Sequence, residues 1–477
     1  MIIDDKKLNR QLIGVDRWMS TKRGTLHYTM QFGKSYTAIL IIKRLIELNL
    51  LKDEVLILVP SEIIRRQWNK LLEENNMDFL VMTAQTAINS YKDLPNYKLL
   101  IIDEVHKFIT PNRISLITNY IKYDYILGLT GSYPSIENSR ILDKYCPVVD
   151  VITEEEALKN GWISNFREYN FALTFDLELQ KKYISYTNPI RDILQKFKNS
   201  YRLFKIFKND YEVLTACCAG KYYQGTYYSP VSIAKSLALR KGWGKSLNLT
   251  LGNNKELEDN WNPSIIMQDA KNFNDLVRER NELLINNNIK LEAIKKLYIK
   301  FKDKTIISFN ESTDFANDIA EEINKLGGRA VTYHSNMPSQ PLIDPETNDF
   351  IRKKDGSIKM FGKTTLKNNA INGMLTGRFN FISTARALDE GLSIPNINMV
   401  ICSGGTVNPL QYSQRSARGK TVNIYDKNKV TIIVNLFFDD FVYNGKEYAC
   451  RDKQKLILRQ KENNANPVWV TDIEDIC

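Results

Sequence analysis

The feature that most constrains the fold is an alternation of short apolar runs with stretches of helical periodicity. The runs "DEVLILVP" and "YKLLIIDEVH" have the length and composition of buried parallel strands, and "SEIIRRQWNKLLEENN" between them has apolar residues at helical spacing. A third apolar run, "YDYILGLTGS", follows. Because alternating strands and helices build parallel sheets, residues 1–150 are predicted to form one α/β domain with ligand groups at the carboxyl ends of its strands.

A second alternation occupies residues 297–445. The runs "KTIISFN", "RAVTYHS", "FNFIST" and "VTIIVNLFF" predict strands of another parallel sheet, interrupted by a charged loop or hairpin that carries Lys353 and Lys354. Residues 151–296 are predicted to form a linker and a mainly helical insert, and residues 446–477 a C-terminal tail. The predicted fold class is α/β, with two parallel-sheet lobes and a mainly helical insert between them.

Composition limits the classes of function. The 66 Lys and Arg residues exceed the 55 Asp and Glu residues, which gives a net charge of +11. This charge favours a polyanionic partner such as nucleic acid, although a basic solvated surface would look the same. No run is long and apolar enough for a membrane span, and the first residues lack the apolar core of a signal peptide. We expect a cytoplasmic protein, with a monomer as the favoured state. Three histidines and six cysteines without C-x-x-C spacing make a histidine or zinc centre improbable.

The stretch "TMQFGKSYTAIL" resembles a phosphate-binding loop. Gly33, Lys34 and Ser35 supply the last three residues of such a loop, in which backbone N–H groups surround phosphate oxygens, the lysine reaches the terminal phosphates and the hydroxyl contacts Mg²⁺. The full pattern has a glycine where Tyr28 stands, and many helicase loops have one at Gln31. An amphipathic helix that happens to begin with Gly-Lys-Ser is the alternative.

Two adjacent carboxylates follow the run "LLIID". Asp103 is predicted to hold the Mg²⁺ ion that Ser35 also contacts, and Glu104 to polarise a water molecule against the γ-phosphate of ATP. A pair of solvated carboxylates at a strand end is the alternative. It becomes improbable after a Gly-Lys-Ser turn, a strand and a helix.

Taken in order, these motifs resemble the series of superfamily 2 helicases and translocases. The series comprises "RQLIGVDRW", "QFGKS", "LVPSEIIRRQW", "DEVH", "LTGSYP", "IISFNES", "YHS", "STARALDEGLSIP" and "QRSARGKT". The closest resemblance is to phage-encoded DEAD/DEAH-like DNA helicases of the branch-migrating and reannealing kind, which would place the protein in a host cytoplasm. The resemblance implies two RecA-like lobes, with ATP and Mg²⁺ bound in the cleft between them.

The resemblance also implies roles for single residues. Gln11 matches the glutamine that contacts adenine, and His106 matches the histidine that couples hydrolysis to strand contacts. Thr130 and Ser132 match the hydroxyl motif that links the two sites. The matches in the second lobe are Thr384 for nucleic acid, Gly391 for phosphates, and Gln414, Arg415 and Arg418 for the arginine-finger motif.

This sequence departs from the family pattern at several positions. The phosphate loop has Gln31 and Phe32 where small residues are usual, and Ser393 stands where an aspartate is common. In the arginine motif Ala417 replaces a glycine and Thr421 an arginine. Because Thr421 cannot supply a second cation, we expect either that Arg415 or Lys420 compensates or that the enzyme is slow. We expect nucleotide binding to survive, because a Gly-Lys-Ser turn followed by a helix retains the N–H cradle and the helix dipole.

The middle segment interleaves aromatic and basic residues, among them Tyr227, Tyr228 and Lys241. Aromatic rings that stack on bases and cations that follow the backbone are typical of single-strand binding. The tyrosines could equally be the core of a small helical insert.

The predicted function is that of an ATP-dependent DNA helicase or translocase that moves along or remodels single-stranded or branched DNA. An RNA helicase is one alternative, and a nucleic-acid-binding or annealing module with a decayed ATPase is another.

Overall fold

The computed structural model describes residues 5–52, 54–131, 136–196, 221–223, 226–228, 263–337, 339, 341, 351–353, 355–385, 397–404, 409–422, 429–462 and 466–477. These residues fall into two compact units. The first comprises residues 1–172, 290–437 and 454–477, and the second comprises residues 173–289 and 438–453. Both parallel sheets lie in the first unit, so the predicted α/β class with two lobes is confirmed.

The first lobe is built on a six-stranded parallel sheet with the order β3-β2-β4-β5-β1-β6. Its elements, in chain order, are α1 (Asp5–Thr21), β1 (Arg23–Tyr28), α2 (Lys34–Glu47), β2 (Val55–Val59), α3 (Glu62–Glu73), β3 (Leu80–Thr83), α4 (Ala84–Ser90), β4 (Tyr97–Asp103), α5 (Pro111–Ser115), β5 (Tyr123–Thr130), α6 (Ile136–Tyr145), β6 (Val148–Ile152) and α7 (Glu154–Lys159). The strands β2, β4 and β5 coincide with the three predicted apolar runs.

The first sheet is buried on both faces, which explains its continuous apolar strands. Along β4, Leu99 and Ile101 belong to the core on one face, whereas Leu100 and Ile102 belong to the core on the other. Helix α3 buries a single face, on which Trp68 lies one turn from its apolar neighbours. The carboxyl ends of β1, β4 and β5 lie side by side, because the strands are parallel neighbours.

The second lobe is built on a seven-stranded sheet with the order β11-β12-β10-β13-β14-β7-β17. Its elements are β7 (Asn165–Leu173), α10 (Asn288–Lys300), β10 (Ile306–Asn310), α11 (Thr313–Lys325), β11 (Ala330–Tyr333), α12 (Lys363–Leu375), β12 (Phe381–Ala385), β13 (Met399–Cys402), α13 (Pro409–Ala417), β14 (Val430–Phe438), α14 (Arg451–Glu462) and β17 (Val468–Val470). The strand β7 comes from the predicted helical middle and β17 from the predicted tail, and both are hydrogen-bonded into this sheet.

The second unit is mainly helical in its described part. It contains α8 (Leu177–Lys196), α9 (Pro263–Ile285) and two antiparallel hairpins, one of β8 (Lys221–Tyr223) with β9 (Thr226–Tyr228) and one of β15 (Phe441–Tyr443) with β16 (Lys446–Tyr448). Tyr227 and Tyr228 therefore lie on a β-hairpin within the segment predicted as a mainly helical insert. No helix among the described residues is long and apolar enough to cross a membrane.

Candidate nucleotide-binding site

The predicted phosphate loop lies between β1 and α2. Gly33 precedes the first residue of α2 and has φ of 106°, and Gln31 has φ of 68°. Gln31 thus adopts the left-handed conformation that glycine adopts most easily, and a non-glycine residue loses roughly 1–2 kcal/mol in doing so. The backbone N–H groups at the start of α2 remain available to an anion, as at other helix N-termini.

Phe32, the large residue in this loop, points into the core of the first lobe. Its ring is fully buried and packs edge-on against Tyr28 at 5.3 Å and Trp162 at 5.2 Å between ring centroids. The Tyr28 hydroxyl donates a hydrogen bond of 2.7 Å to the carboxylate of Asp150. The large residues at positions 28 and 32 therefore anchor the loop to the core of the first lobe, and their side chains do not occupy the space inside the loop.

Two polar side chains bind the carbonyl oxygen of Gly33. Gln11 Nε2 donates to it at 3.3 Å, and Thr37 Oγ1 donates to it at 3.2 Å. Gln11 is only 4% exposed. In this structure Gln11 holds the phosphate loop, and its contact with adenine stays a prediction.

Asp103 ends β4, and both of its carboxylate oxygens accept a hydrogen bond. Oδ1 accepts from the backbone N–H of Glu104 at 2.9 Å, and Oδ2 accepts from Trp68 Nε1 at 2.8 Å. Burial, followed by the neighbouring Glu104 charge, raises the pKa of Asp103 to about 6, although Lys34 opposes this shift. A cation beside this carboxylate would stabilise its ionised form.

Glu104 has a left-handed backbone, with φ and ψ both at 51°. A non-glycine residue in this region is held there by its surroundings, at a cost of about 1–3 kcal/mol. Its Oε2 lies 3.4 Å from His106 Nδ1, and the same nitrogen lies 2.9 Å from Thr130 Oγ1. The structure therefore brings together Glu104, His106 and Thr130. The sequence predicts that they activate water, couple hydrolysis to strand contacts and link the two sites, respectively.

Lys34 lies against the end of β5. A β-carbon built on Gly131 would be 2.9 Å from Lys34 Nζ and 2.9 Å from Met30 Cγ, so a larger residue there would require these side chains to shift. His27 is paired with Thr130 across β1 and β5, and burial, then Lys34 and His106, lower its pKa. Sequence reasoning did not assign His27 to the site, although it stands only six residues before Gly33.

The residues fit a hard divalent cation. Mg²⁺ prefers oxygen ligands, and Asp103, with Glu104 beside it, provides carboxylates whose mutual repulsion contributes to the raised pKa of Asp103. Ser35, the second residue of α2, is half-buried. Asp103 and Ser35 would hold the ion, which would neutralise charge on the phosphates.

In the second lobe, the arginine motif lies on α13 and the turn that follows it. Gln414 and Arg415 are buried, and the Arg415 guanidinium lies 5.5 Å from the centre of the Phe309 ring. Arg418 is half-buried, and its backbone N–H donates to the Arg415 carbonyl at 3.2 Å. These three residues form one group on a single helix and its C-terminal turn.

Two lysines hold the turn after Arg418. Lys429 Nζ donates to the carbonyl oxygens of Gly419 and Thr421, at 3.0 Å each. Lys420 Nζ lies 2.9 Å from both carboxylate oxygens of Glu154 and 3.8 Å from the centre of the Phe166 ring. Lys420 is therefore engaged in contacts of its own, and compensation for the threonine at position 421 by Arg415 or Lys420 stays a prediction.

Several predicted residues remain without a structural assignment. Thr384 is fully buried in β12, so its contact with nucleic acid stays a prediction. The predictions for Ser132, Gly391 and Lys241 lie outside the described residues. Within the described residues, no group of three or more His, Cys, Asp or Glu side chains could hold a metal ion.

Comparison with known proteins adds two family matches. The model for the res subunit of type III restriction enzymes matches residues 69–135, and the model for the helicase conserved C-terminal domain matches residues 289–420. The first match includes Asp103 and Glu104, and the second includes Arg415 and Arg418.

One curated protein and one solved structure illustrate the similarity. The DNA 3'-5' translocase XPB2 of Sulfurisphaera tokodaii is 21% identical over 432 residues, which cover 86% of this chain and 77% of that protein. A structure of S. cerevisiae Dbp5 bound to RNA and ADP BeF3 aligns with a TM-score of 0.51 at 10% identity, over 94% of this chain and 85% of that chain. The structural likeness supports the fold alone.

Proposed function

We infer that this chain, an ATP-hydrolysing helicase of superfamily 2, uses ATP and Mg²⁺ to move along or remodel DNA. The observation that carries this proposal is the cluster at the carboxyl ends of β4 and β5. There Lys34 lies against Gly131, and Glu104 and Thr130 both lie beside His106. A lysine, a carboxylate and a histidine thus lie at the carboxyl ends of neighbouring strands, which supports the roles in ATP hydrolysis proposed for them.

Each lobe has its own part in the proposed reaction. In the first, Lys34 binds the terminal phosphates of ATP and Glu104 orients the attacking water. In the second, Arg418 stabilises the charge that develops on the transferred phosphoryl group, with Arg415 as the second cation. Because these groups belong to different lobes, hydrolysis depends on how the lobes close around ATP.

DNA is the proposed partner. The similar XPB2 protein is a DNA 3'-5' translocase, and the net charge of +11 on this chain suits a polyanion. Single-stranded or branched DNA is the proposed form, in keeping with the resemblance to branch-migrating phage helicases. The cytoplasmic location and the monomeric state remain predictions.

The residues that motivate the alternative of a decayed ATPase are compatible with an intact loop and turn, although none of them supplies the cation missing at position 421. This alternative was suggested by the residues at positions 31, 417 and 421, yet Gln31 adopts the backbone conformation that a glycine would supply. Ala417 is buried at the end of α13, and the Thr421 carbonyl is bound by Lys429. These substitutions are accommodated without loss of the loop or of the turn.

The test compares ATP hydrolysis in the presence of single-stranded DNA, duplex DNA, a four-way junction and RNA of matched length. We expect single-stranded or branched DNA to stimulate hydrolysis most, and Glu104→Gln to abolish the stimulation. Equal or stronger stimulation by RNA would favour the RNA helicase. Tight DNA binding without any hydrolysis would favour the decayed module.

A further inference from the structure

Trp68 is a buried residue of α3 that contacts the proposed metal ligand. Its side chain is 2% exposed, and its Nε1 donates to Asp103 Oδ2 at 2.8 Å. Ile64 and Leu72 lie on the same face of α3 and are also buried, so packing alone explains an apolar residue here. Packing does not require an N–H donor aimed at a carboxylate.

The hydrogen bonds of Asp103 fix the orientation of its carboxylate. An ionised carboxylate has about four lone-pair positions. The Glu104 N–H takes one on Oδ1, and the Trp68 indole takes one on Oδ2. The two donors come from different elements, the end of β4 and the middle of α3, so rotation of the carboxylate would break at least one of these bonds. One lone pair on each oxygen then keeps a fixed direction.

Comparison with other buried tryptophans distinguishes this contact from ordinary packing. The Nε1 of Trp162 is buried without a hydrogen-bond partner in the described part of the chain. Trp18, fully buried, donates to the Ile126 carbonyl at 3.1 Å, on the same side of the sheet but away from the carboxylates. The fold therefore tolerates an unpaired buried indole, and the pairing with Asp103 is specific to position 68.

We propose that Trp68 is a positioning residue that holds the Asp103 carboxylate in the orientation in which it receives Mg²⁺ with ATP. This inference rests on the proposed function, since it assigns Asp103 to the metal. Supporting partners of metal ligands of this kind commonly contribute roughly 10- to 100-fold to metal affinity. Trp68 itself touches neither nucleotide nor metal in this role.

The main test is Trp68→Phe, with Trp18→Phe as the matched control. Each variant keeps an aromatic ring in a buried site and loses one indole hydrogen bond. We expect Trp68→Phe to raise the Mg²⁺ concentration needed for half-maximal binding of a fluorescent ATP analogue by roughly tenfold or more. Trp18→Phe should leave that concentration unchanged, and affinity for the analogue without Mg²⁺ should be the same in all three proteins.

Intrinsic fluorescence is a second measurement. Addition of Mg²⁺ and ATP should change the emission of the wild type and of Trp18→Phe, and the change should be lost in Trp68→Phe. An unchanged Mg²⁺ dependence in folded Trp68→Phe would overturn the inference while leaving the proposed function intact. A wild-type protein that binds no nucleotide at all would overturn both.

If Trp68→Phe does not fold, the wild type still decides the question. The six tryptophans can be labelled with ¹⁵N at the indole nitrogen. Asp103→Asn should shift one of the six N–H resonances, and Mg²⁺ with ATP should shift the same resonance in the wild type. A resonance that responds to Asp103→Asn but not to Mg²⁺ with ATP would contradict the proposal.

Discussion

The phosphate loop of the first lobe and the turn after Arg418 in the second lobe are both short backbone segments that must keep one conformation. The first is held by an apolar anchor, because Phe32 is buried between two aromatic rings. The second is held by polar contacts, because Lys429 donates to two carbonyl oxygens and Lys420 is paired with Glu154. One segment is thus held by apolar packing and the other by hydrogen bonds and an ion pair.

The difference predicts how each segment responds to substitution. An apolar anchor contributes through the area it buries and the space it fills, so its loss should scale with size. A buried amine contributes through its hydrogen bonds, so a residue of the same shape without the donor should lose most of that contribution. Size and polarity can therefore be tested separately in the two lobes.

The largest expected effect compares the proposed chemistry of the two lobes. Glu104→Gln in the first and Arg418→Ala in the second should each lower turnover by about 10³-fold, with ATP affinity nearly unchanged. Lys34→Ala should instead weaken ATP binding. Single-turnover hydrolysis, beside binding of a fluorescent ATP analogue, measures both quantities.

Two results would alter these assignments. Normal hydrolysis by Arg418→Ala would transfer the role of the arginine finger to Arg415. Wild-type turnover by Glu104→Gln would remove Glu104 from the catalytic role, and the first lobe would then no longer contribute a catalytic group equivalent to Arg418.

The next largest effect concerns stability of the first lobe. Phe32→Ala should lower the free energy of unfolding by about 3–5 kcal/mol, since it leaves a cavity beside Tyr28 and Trp162. Phe32→Leu should lose clearly less, because leucine fills part of that space. Denaturant unfolding measures both variants, and equal losses would show that burial is not what anchors the loop.

A smaller effect is expected in the second lobe. Lys429→Met keeps most of the side-chain volume but removes the donor for the Gly419 and Thr421 carbonyls, so we expect a loss of about 1–3 kcal/mol. The matched control is Lys302→Met at an exposed position, which should change the free energy of unfolding by less than about 0.5 kcal/mol. If both lysine variants unfold at the same denaturant concentration, the polar anchor makes no contribution.

The smallest effect is a pH dependence confined to the first lobe. Burial alone would raise the pKa of Asp150, but hydrogen bonds from Arg10 and Tyr28 hold it below its ordinary value of 3.8. The ionised form is thus favoured in the folded state, so this stabilisation is complete above the ordinary pKa and is lost as pH falls through the folded pKa. Asp150→Asn should lower the stability at neutral pH and make the stability fall less steeply in acid. Thermal unfolding between about pH 3 and pH 7 measures both effects, since this range extends to about one unit below the ordinary pKa.

The sequence was most informative where one local pattern decided the structure. Strands β2, β4 and β5 are continuous apolar runs, and Asp103 follows from the end of such a run. Strand β7, "NFREYNFAL", was not predicted because its several polar residues are typical of a solvent-exposed segment. In the fold, Asn170 of β7 is fully buried and bonded to Gln460, a partner 290 residues away that no local pattern reveals.

The candidate site shows the same limit. The sequence named Lys34, Glu104 and His106 because motif spacing carries that information. It could assign Trp68 only to an apolar helix face, since the hydrogen bond to Asp103 depends on how α3 packs on the sheet. The sequence likewise showed Phe32 only as a departure from the small residues usual in such loops. Its role in the core depends on packing against Trp162, which is distant in sequence.

The strand order of the second sheet also has a consequence for synthesis on the ribosome. The first sheet has all its strands once residue 152 has emerged, so the first lobe can fold early. Strand β7 follows directly, but its neighbour β14 lies far downstream, and Glu168 meets Asn435 only across 267 residues. The nascent chain therefore keeps β7 without either of its sheet neighbours, β14 and β17, until late in translation, and an unpaired strand of this kind is exposed to mispairing.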